Sequence, residues 1–188
     1  MQHIDDGRRP DVTTIEIIGG PEAVHVDLLP YDERWPGMFA EHRDRIHRAL
    51  GAGGPVVGIG HIGSTAVPGL AAKPIIDVLV TVNDITAEED HVELLLAAGY
   101  VLRVREPGHR LVRTPERSVH VHVYEHGAPA VERYRLFRDR LRSDPGDREL
   151  YEATKRELFR RQWDDMNDYA DAKTAVVREI TARARAAR

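Results

Sequence analysis

The chain contains no cysteine, which excludes disulfides and thiolate zinc sites and leaves His, Asp and Glu as the strong metal ligands. It also lacks the run of about 18 apolar residues that a membrane-spanning helix needs. Its first residues, MQHIDDGRRPDVTT, have no apolar stretch of the signal-peptide kind. A basic excess is missing too. The net charge of −4 argues against a general nucleic-acid coat, which requires a positive surface. These absences predict a cytoplasmic protein with neither membrane nor nucleic acid as partner. At 188 residues the chain is long enough for one domain with a real core, or one domain with a helical appendage.

What is present divides into three parts. Residues 1–22 are polar, carry Gly19-Gly20-Pro21, and read as a loose, flexible tail. Residues 23–128 read as a mixed α+β core. Ala23 to Tyr31 alternates briefly, as an edge strand does. Asp32 to Leu50 has helical spacing, with Asp32 as cap and Gly51 as stop. "PVVGIGHI" and "KPIIDVLVTV" are continuous apolar runs, the pattern of strands covered on both faces. Thr86 to Ala98 predicts a helix with Val92, Leu95 and Leu96 inward and Gly99 as its stop. "YVLRVRE", "HRLVRTP" and "SVHVHVYE" predict three strands joined by turns. Residues 129–188 turn helical in three segments and form a C-terminal subdomain. The fold class expected is α+β, a mixed sheet flanked by helices.

The densest stretch is "GHIGSTAVPGLAAKPIIDVLV", residues 60–80. A strand, a Gly63-Ser64 turn and a second strand bearing Asp77 in an apolar run make an arrangement suited to phosphate. Glycine lets the backbone approach closely, while turn amides and the Ser64 and Thr65 hydroxyls donate to the oxygens. A carboxylate in an apolar strand is tolerable when a metal or a donor pairs it. The residues alone leave a structural alternative open, in which Asp77 accepts backbone amides or meets Lys73.

In "SVHVHVYEHG", His120 and His122 alternate with valine and so share one side of a strand. With Asp77, and with His61 if its strand is adjacent, they make a set suited to a divalent metal. A polar face hydrogen-bonded to Asp77 or water is the alternative. Lys73 stands one residue before the second strand, where it can neutralise a phosphate or pair with an acid. Arg138 can grip phosphate bidentately or fix its helix to the sheet. Tyr151 and Lys155 are four apart, as are Tyr169 and Lys173, so each pair shares a helix face. Such faces can receive a nucleotide or simply pack with snorkelling lysines.

The blocks "PYDERWPGMF", "HIGSTAVPGLAAKPIIDVLV", Gly99-Tyr100, "HVHV", "FRDRLR", "YEATK" and "YADAK" occur in an order that resembles the GrpB-like family. That family is placed in the DNA-polymerase-beta-type nucleotidyltransferase superfamily. It also occurs as a C-terminal extension of some bacterial dephospho-coenzyme A kinases, described as a folding accessory.

The resemblance implies metal-dependent transfer of a nucleoside monophosphate from a nucleoside triphosphate to a hydroxyl of a small molecule or protein. Gly63, Ser64, Thr65, Lys73, Arg138, Tyr151, Lys155 and Lys173 would bind nucleotide and phosphate. Asp77, His61, His120 and His122 would hold Mg, Mn or Zn, with Asp77, His120 and His122 as the catalytic group. The superfamily pattern places a second carboxylate two residues after the first, and here that position is Leu79. The competing expectation is therefore a non-catalytic nucleotide-binding or accessory module that stabilises a protein partner.

Overall fold

The computed structural model describes residues 8–20, 27–51, 54–161 and 172–188. These form a six-stranded mixed sheet in the order β1-β4-β5-β6-β3-β2. The strands are β1 (Glu16–Ile17), β2 (Val56–Ile62), β3 (Ile76–Val82), β4 (Val101–Glu106), β5 (His109–Arg113) and β6 (Val119–Glu125). The β3–β6 pairing is parallel and the other four are antiparallel. Period-two alternation then sorts the side chains onto two faces.

On one face, Ile76, Val78, Val80 and Val82 of β3 and Val119, Val121 and Val123 of β6 form the main core. It is covered by α1 (Trp35–Leu50) and α2 (Val92–Ala97). The opposite face carries Asp77, Leu79, His120, His122 and Tyr124, and lies under three helices. These are α3 (Pro129–Ser143), α4 (Pro145–Phe159) and α5 (Thr174–Ala186). Val131 of α3 closes on Ile62 and Leu79. Phe137, Leu141, Tyr151, Val176 and Ile180 meet Val67 and Leu70 just beyond the Gly63-Ser64 turn.

Several elements differ from the sequence reading, each for a local reason. The first part of Thr86–Ala98 is not helix but a loop and a short 3₁₀ turn, Glu88–Asp90. Asp84 accepts from the Thr86 amide and hydroxyl, and Glu88 is drawn into ion pairs with Arg105 and Arg110. Val92 and Leu95 point inward, but Leu96 is exposed.

The strand β2 is at the sheet edge and its Val57 is exposed, whereas β3 is covered on both faces. At Gly58 the close neighbour is on β3, where Thr81 Oγ1 lies 3.2 Å from where a Cβ would stand.

The N-terminal segment, expected to be loose, lies along the sheet over residues 8–20. Arg110 is almost fully buried on β5 and requires acids around it, and Asp11 supplies one at 2.6 Å. Asp11 also caps the Gly108 amide, and Glu16–Ile17 pairs with β4. Of the strand expected at Ala23–Tyr31, residues 23–26 lie outside the described residues. The remainder makes one bridge, Leu29 to Ala72.

Candidate functional site

The site is built where β3 and β6 run parallel. Their register pairs Asp77 with His120 and Leu79 with His122, so all four side chains share a face. Asp77 Oδ1 stands 3.8 Å from His120 Nδ1 and 3.5 Å from His122 Nε2. The three ligand atoms all lie within 4.8 Å of one another. For metal–nitrogen and metal–oxygen bonds of about 2.0–2.1 Å, tetrahedral donors stand about 3.4 Å apart. The spacing therefore fits a small divalent ion, and a set of two imidazoles and one carboxylate is softer than magnesium prefers.

Asp77 is shaped by its other neighbour. Gly63 has φ +72, and a Cβ there would fall 2.4 Å from Asp77 Oδ2. The turn and the carboxylate are thus in direct contact. Burial alone would raise the Asp77 carboxyl, but the hydrogen bond and charge of His122, helped by His120 and Lys173, hold it below its ordinary value.

The next turn of chain is a short 3₁₀ segment, Ser64–Ala66. The Ser64 hydroxyl accepts from Lys155 Nζ at 3.3 Å and shares a hydrogen bond with Tyr151. Lys155 also donates to the Ala71 carbonyl, while Glu152, one turn earlier on α4, accepts from the Ala71 amide. Helix α4 thereby clamps the 64–73 loop to the site. Lys155 is 2% exposed, and burial together with the nearby charge of Lys173 pulls it down to about 7. Lys73 is lowered to about 8 by the same two causes, and its ammonium lies 5.4 Å from the Phe159 ring. Lys173, lowered by burial, is held up by the charge of Asp77. Burial raises Tyr151 to about 12, so it stays a neutral hydroxyl.

Three expected participants are placed elsewhere. His61 pairs in register with Val78, not Asp77, which turns it to the α1 face of the sheet. There it stacks on Phe39 at 4.7 Å and bonds to Thr65, and burial lowers it to about 4. The strands β2 and β6 are separated by β3, so His61 cannot complete the set of Asp77, His120 and His122. Thr65 is buried, and its hydroxyl donates to the Ile75 carbonyl instead of facing the site. Arg138 donates to the His61 carbonyl and to Asp139, fixing α3 to the edge of β2. Tyr169 lies outside the described residues.

Two residues were missed. His109 Nδ1 lies 2.6 Å from Glu106 Oε1, and His109 Nε2 lies 3.2 Å from His122 Nδ1. Burial and the neighbouring His122 draw His109 down to about 4. The signal was in "EPGH": a two-residue Pro-Gly turn places residues 106 and 109 opposite one another.

A family model described as "GrpB protein" matches residues 25–183. The chain belongs to the GrpB family. A UPF0157 protein of Streptomyces coelicolor is 65% identical over 188 residues, covering all of both chains. The crystal structure of conserved protein GrpB from Enterococcus faecalis superposes with a TM-score of 0.72 at 30% identity. That match covers 82% of this chain and 94% of that one. A dephospho-CoA kinase of Mycolicibacterium paratuberculosis is 32% identical over 188 residues, covering 85% of this chain but 46% of that protein. No helix among the described residues is long and apolar enough to cross a membrane.

Proposed function

We propose that this GrpB-family site binds a nucleoside triphosphate with one divalent cation and transfers the nucleoside monophosphate to a hydroxyl of a small molecule or protein. One juxtaposition carries the reading. Asp77 is pressed against Gly63 with two imidazoles before it, while Lys155 donates to the hydroxyl of the very next residue, Ser64. A cation-binding carboxylate and a phosphate-binding turn are thereby one structure.

In this reading Asp77 holds the cation, and of His120 and His122 one completes its shell while the other acts as base, with Mn or Zn suited to an imidazole ligand better than Mg. When bound, the cation neutralises and polarises the phosphoryl oxygens. Ser64, the turn amides, Lys155, Lys73 and Lys173 grip the phosphate oxygens and stabilise charge on the departing pyrophosphate. The acceptor oxygen bonds to the α-phosphorus as the bond to the bridging oxygen breaks. Its proton passes to whichever of His120 and His122 is free of the cation.

Leu79 favours a second reading. It is 1% exposed and packed between Ile62 and Val131, so the position of a second carboxylate is an apolar contact. A nucleotide-binding or accessory module without chemistry fits that substitution, as does the similarity to part of dephospho-CoA kinases.

Calorimetric titration with ATP and GTP, each with Mg, Mn or Zn, separates the two. Cation-dependent binding lost in folded Asp77→Ala, with pyrophosphate released on turnover, supports the transferase. Orthophosphate release would point instead to a phosphohydrolase, and cation-independent binding without turnover to the accessory module.

A further inference from the structure

Asp77, His120 and His122 are joined to a second pair of side chains that no phosphate-site argument requires. Across the β4–β5 hairpin, Glu106 faces His109 in register, with Oε1 2.6 Å from Nδ1. Across the β5–β6 pairing, His109 Nε2 is 3.2 Å from His122 Nδ1, and His122 Nε2 in turn is 3.5 Å from Asp77 Oδ1. The four groups form an unbroken line over four adjacent strands, β4, β5, β6 and β3. The His109 ring is 7% exposed, stacked on Tyr124 at 4.4 Å and parallel to His122 within 10°. It has little freedom to turn.

We infer that Glu106 and His109 are positioning residues that hold His122 as the Nδ1–H tautomer, so that its Nε2 lone pair faces Asp77 and the cation site. The direction follows from donor chemistry. A carboxylate only accepts, so the Glu106 end fixes the proton of His109 on Nδ1. The remaining nitrogen of a neutral His109 is an acceptor, and only a proton on His122 Nδ1 satisfies it. The His122 imidazolium donates to Asp77 from Nε2, but the neutral Nδ1–H ring presents a lone pair to that carboxylate oxygen at 3.5 Å. Two acceptors facing each other at that distance repel unless a cation stands between them. A metal-bound imidazole oriented by hydrogen bonding at its other nitrogen is a recurrent device. The inference rests on the cation reading of the site, but the tautomer is a property of the metal-free chain and is measured without it.

The test is the two-bond ¹⁵N–¹H correlation spectrum of the histidine side chains in the metal-free protein at mildly alkaline pH, with titration by Zn²⁺ and Mn²⁺ alongside. The expected result is His122 protonated on Nδ1. His109→Phe, which keeps the ring stack but removes both nitrogens, should release that preference and weaken metal binding 10- to 100-fold. His109→Gln, still able to donate to Glu106 and accept from His122, should restore most of it. A proton on His122 Nε2 in the wild type overturns the inference even if metal binds. So does unchanged affinity in folded His109→Phe. A wild type with the Nδ1–H tautomer that binds no divalent ion upholds the relay and removes the cation reading.

Discussion

A β-carbon on Gly63 would lie 2.4 Å from Oδ2 of Asp77 and 3.1 Å from its carboxyl carbon. Real carbons do not approach so closely, so the turn exists in this form only because residue 63 has no side chain. The backbone at φ +72 makes the same demand independently. Gly63→Ala must move the carboxylate or the turn. It is expected to cost about 2–3 kcal/mol in denaturant unfolding. It should also weaken divalent-metal binding, whereas Gly69→Ala, with open space around its Cβ position, should pay only for its positive φ and leave metal binding unaltered.

Restoring the missing acid should not restore a two-metal site. Leu79 is enclosed by Ile62 and Val131. An aspartate there would lose the apolar contact and bury a charge, an expected loss of about 3–5 kcal/mol. Urea unfolding of Leu79→Asp measures the loss, and a titration should find no second equivalent of bound metal. A stable variant with two equivalents would show that the α3 contact yields easily.

Anion binding should take up protons. Lys155, lowered to about 7 by burial and by Lys173, is part-neutral near pH 7, and a phosphate against it favours the ammonium. Triphosphate affinity is expected to fall as pH rises above about 7, and calorimetry in buffers of different ionisation enthalpy should detect uptake that Lys155→Gln abolishes. In the free protein the sign on stability is fixed by the same shift. Protonation disfavours the folded state, so stability should rise with pH from about 7 towards the unfolded lysine value of 10.5.

The three C-terminal helices share one carboxylate. Asp147 of α4 accepts from Arg140 of α3 at 2.6 Å and from Arg183 of α5 at 2.5 Å. Arg140 and Arg183 have further acids in Asp144 and Glu179, so Asp147→Ala should cost about 2–3 kcal/mol and not more. Burial raises the Asp147 carboxyl, but the two guanidinium hydrogen bonds outweigh it and hold it below 3.8. Its contribution is therefore present above that value and lost as pH falls below it. The acid limb of a stability–pH curve should be steeper in the wild type than in Asp147→Ala.

The strands and helices that were legible in the sequence are those whose period is unambiguous. Alternating valines gave β6, the apolar run gave β3, and "PG" and "PER" gave the turns around β5. The acidic stretch after Thr86 was misread because its carboxylates serve Arg105 and Arg110, partners distant in sequence. The tail was misread for a related reason, since Asp11 answers a charge buried 99 residues away.

By itself the sequence determined the chemistry of the site. It placed Asp77 in an apolar strand, set His120 and His122 on one face by alternation, and put a glycine and a serine at the turn. What it could not decide was which of these meet. Strand order and register are long-range properties, and a shift of one residue reverses a side chain's face. The pairing of His61 with Val78 sent that histidine behind the sheet, while the diagonal contact of His109 with His122 brought an unsuspected one to the front.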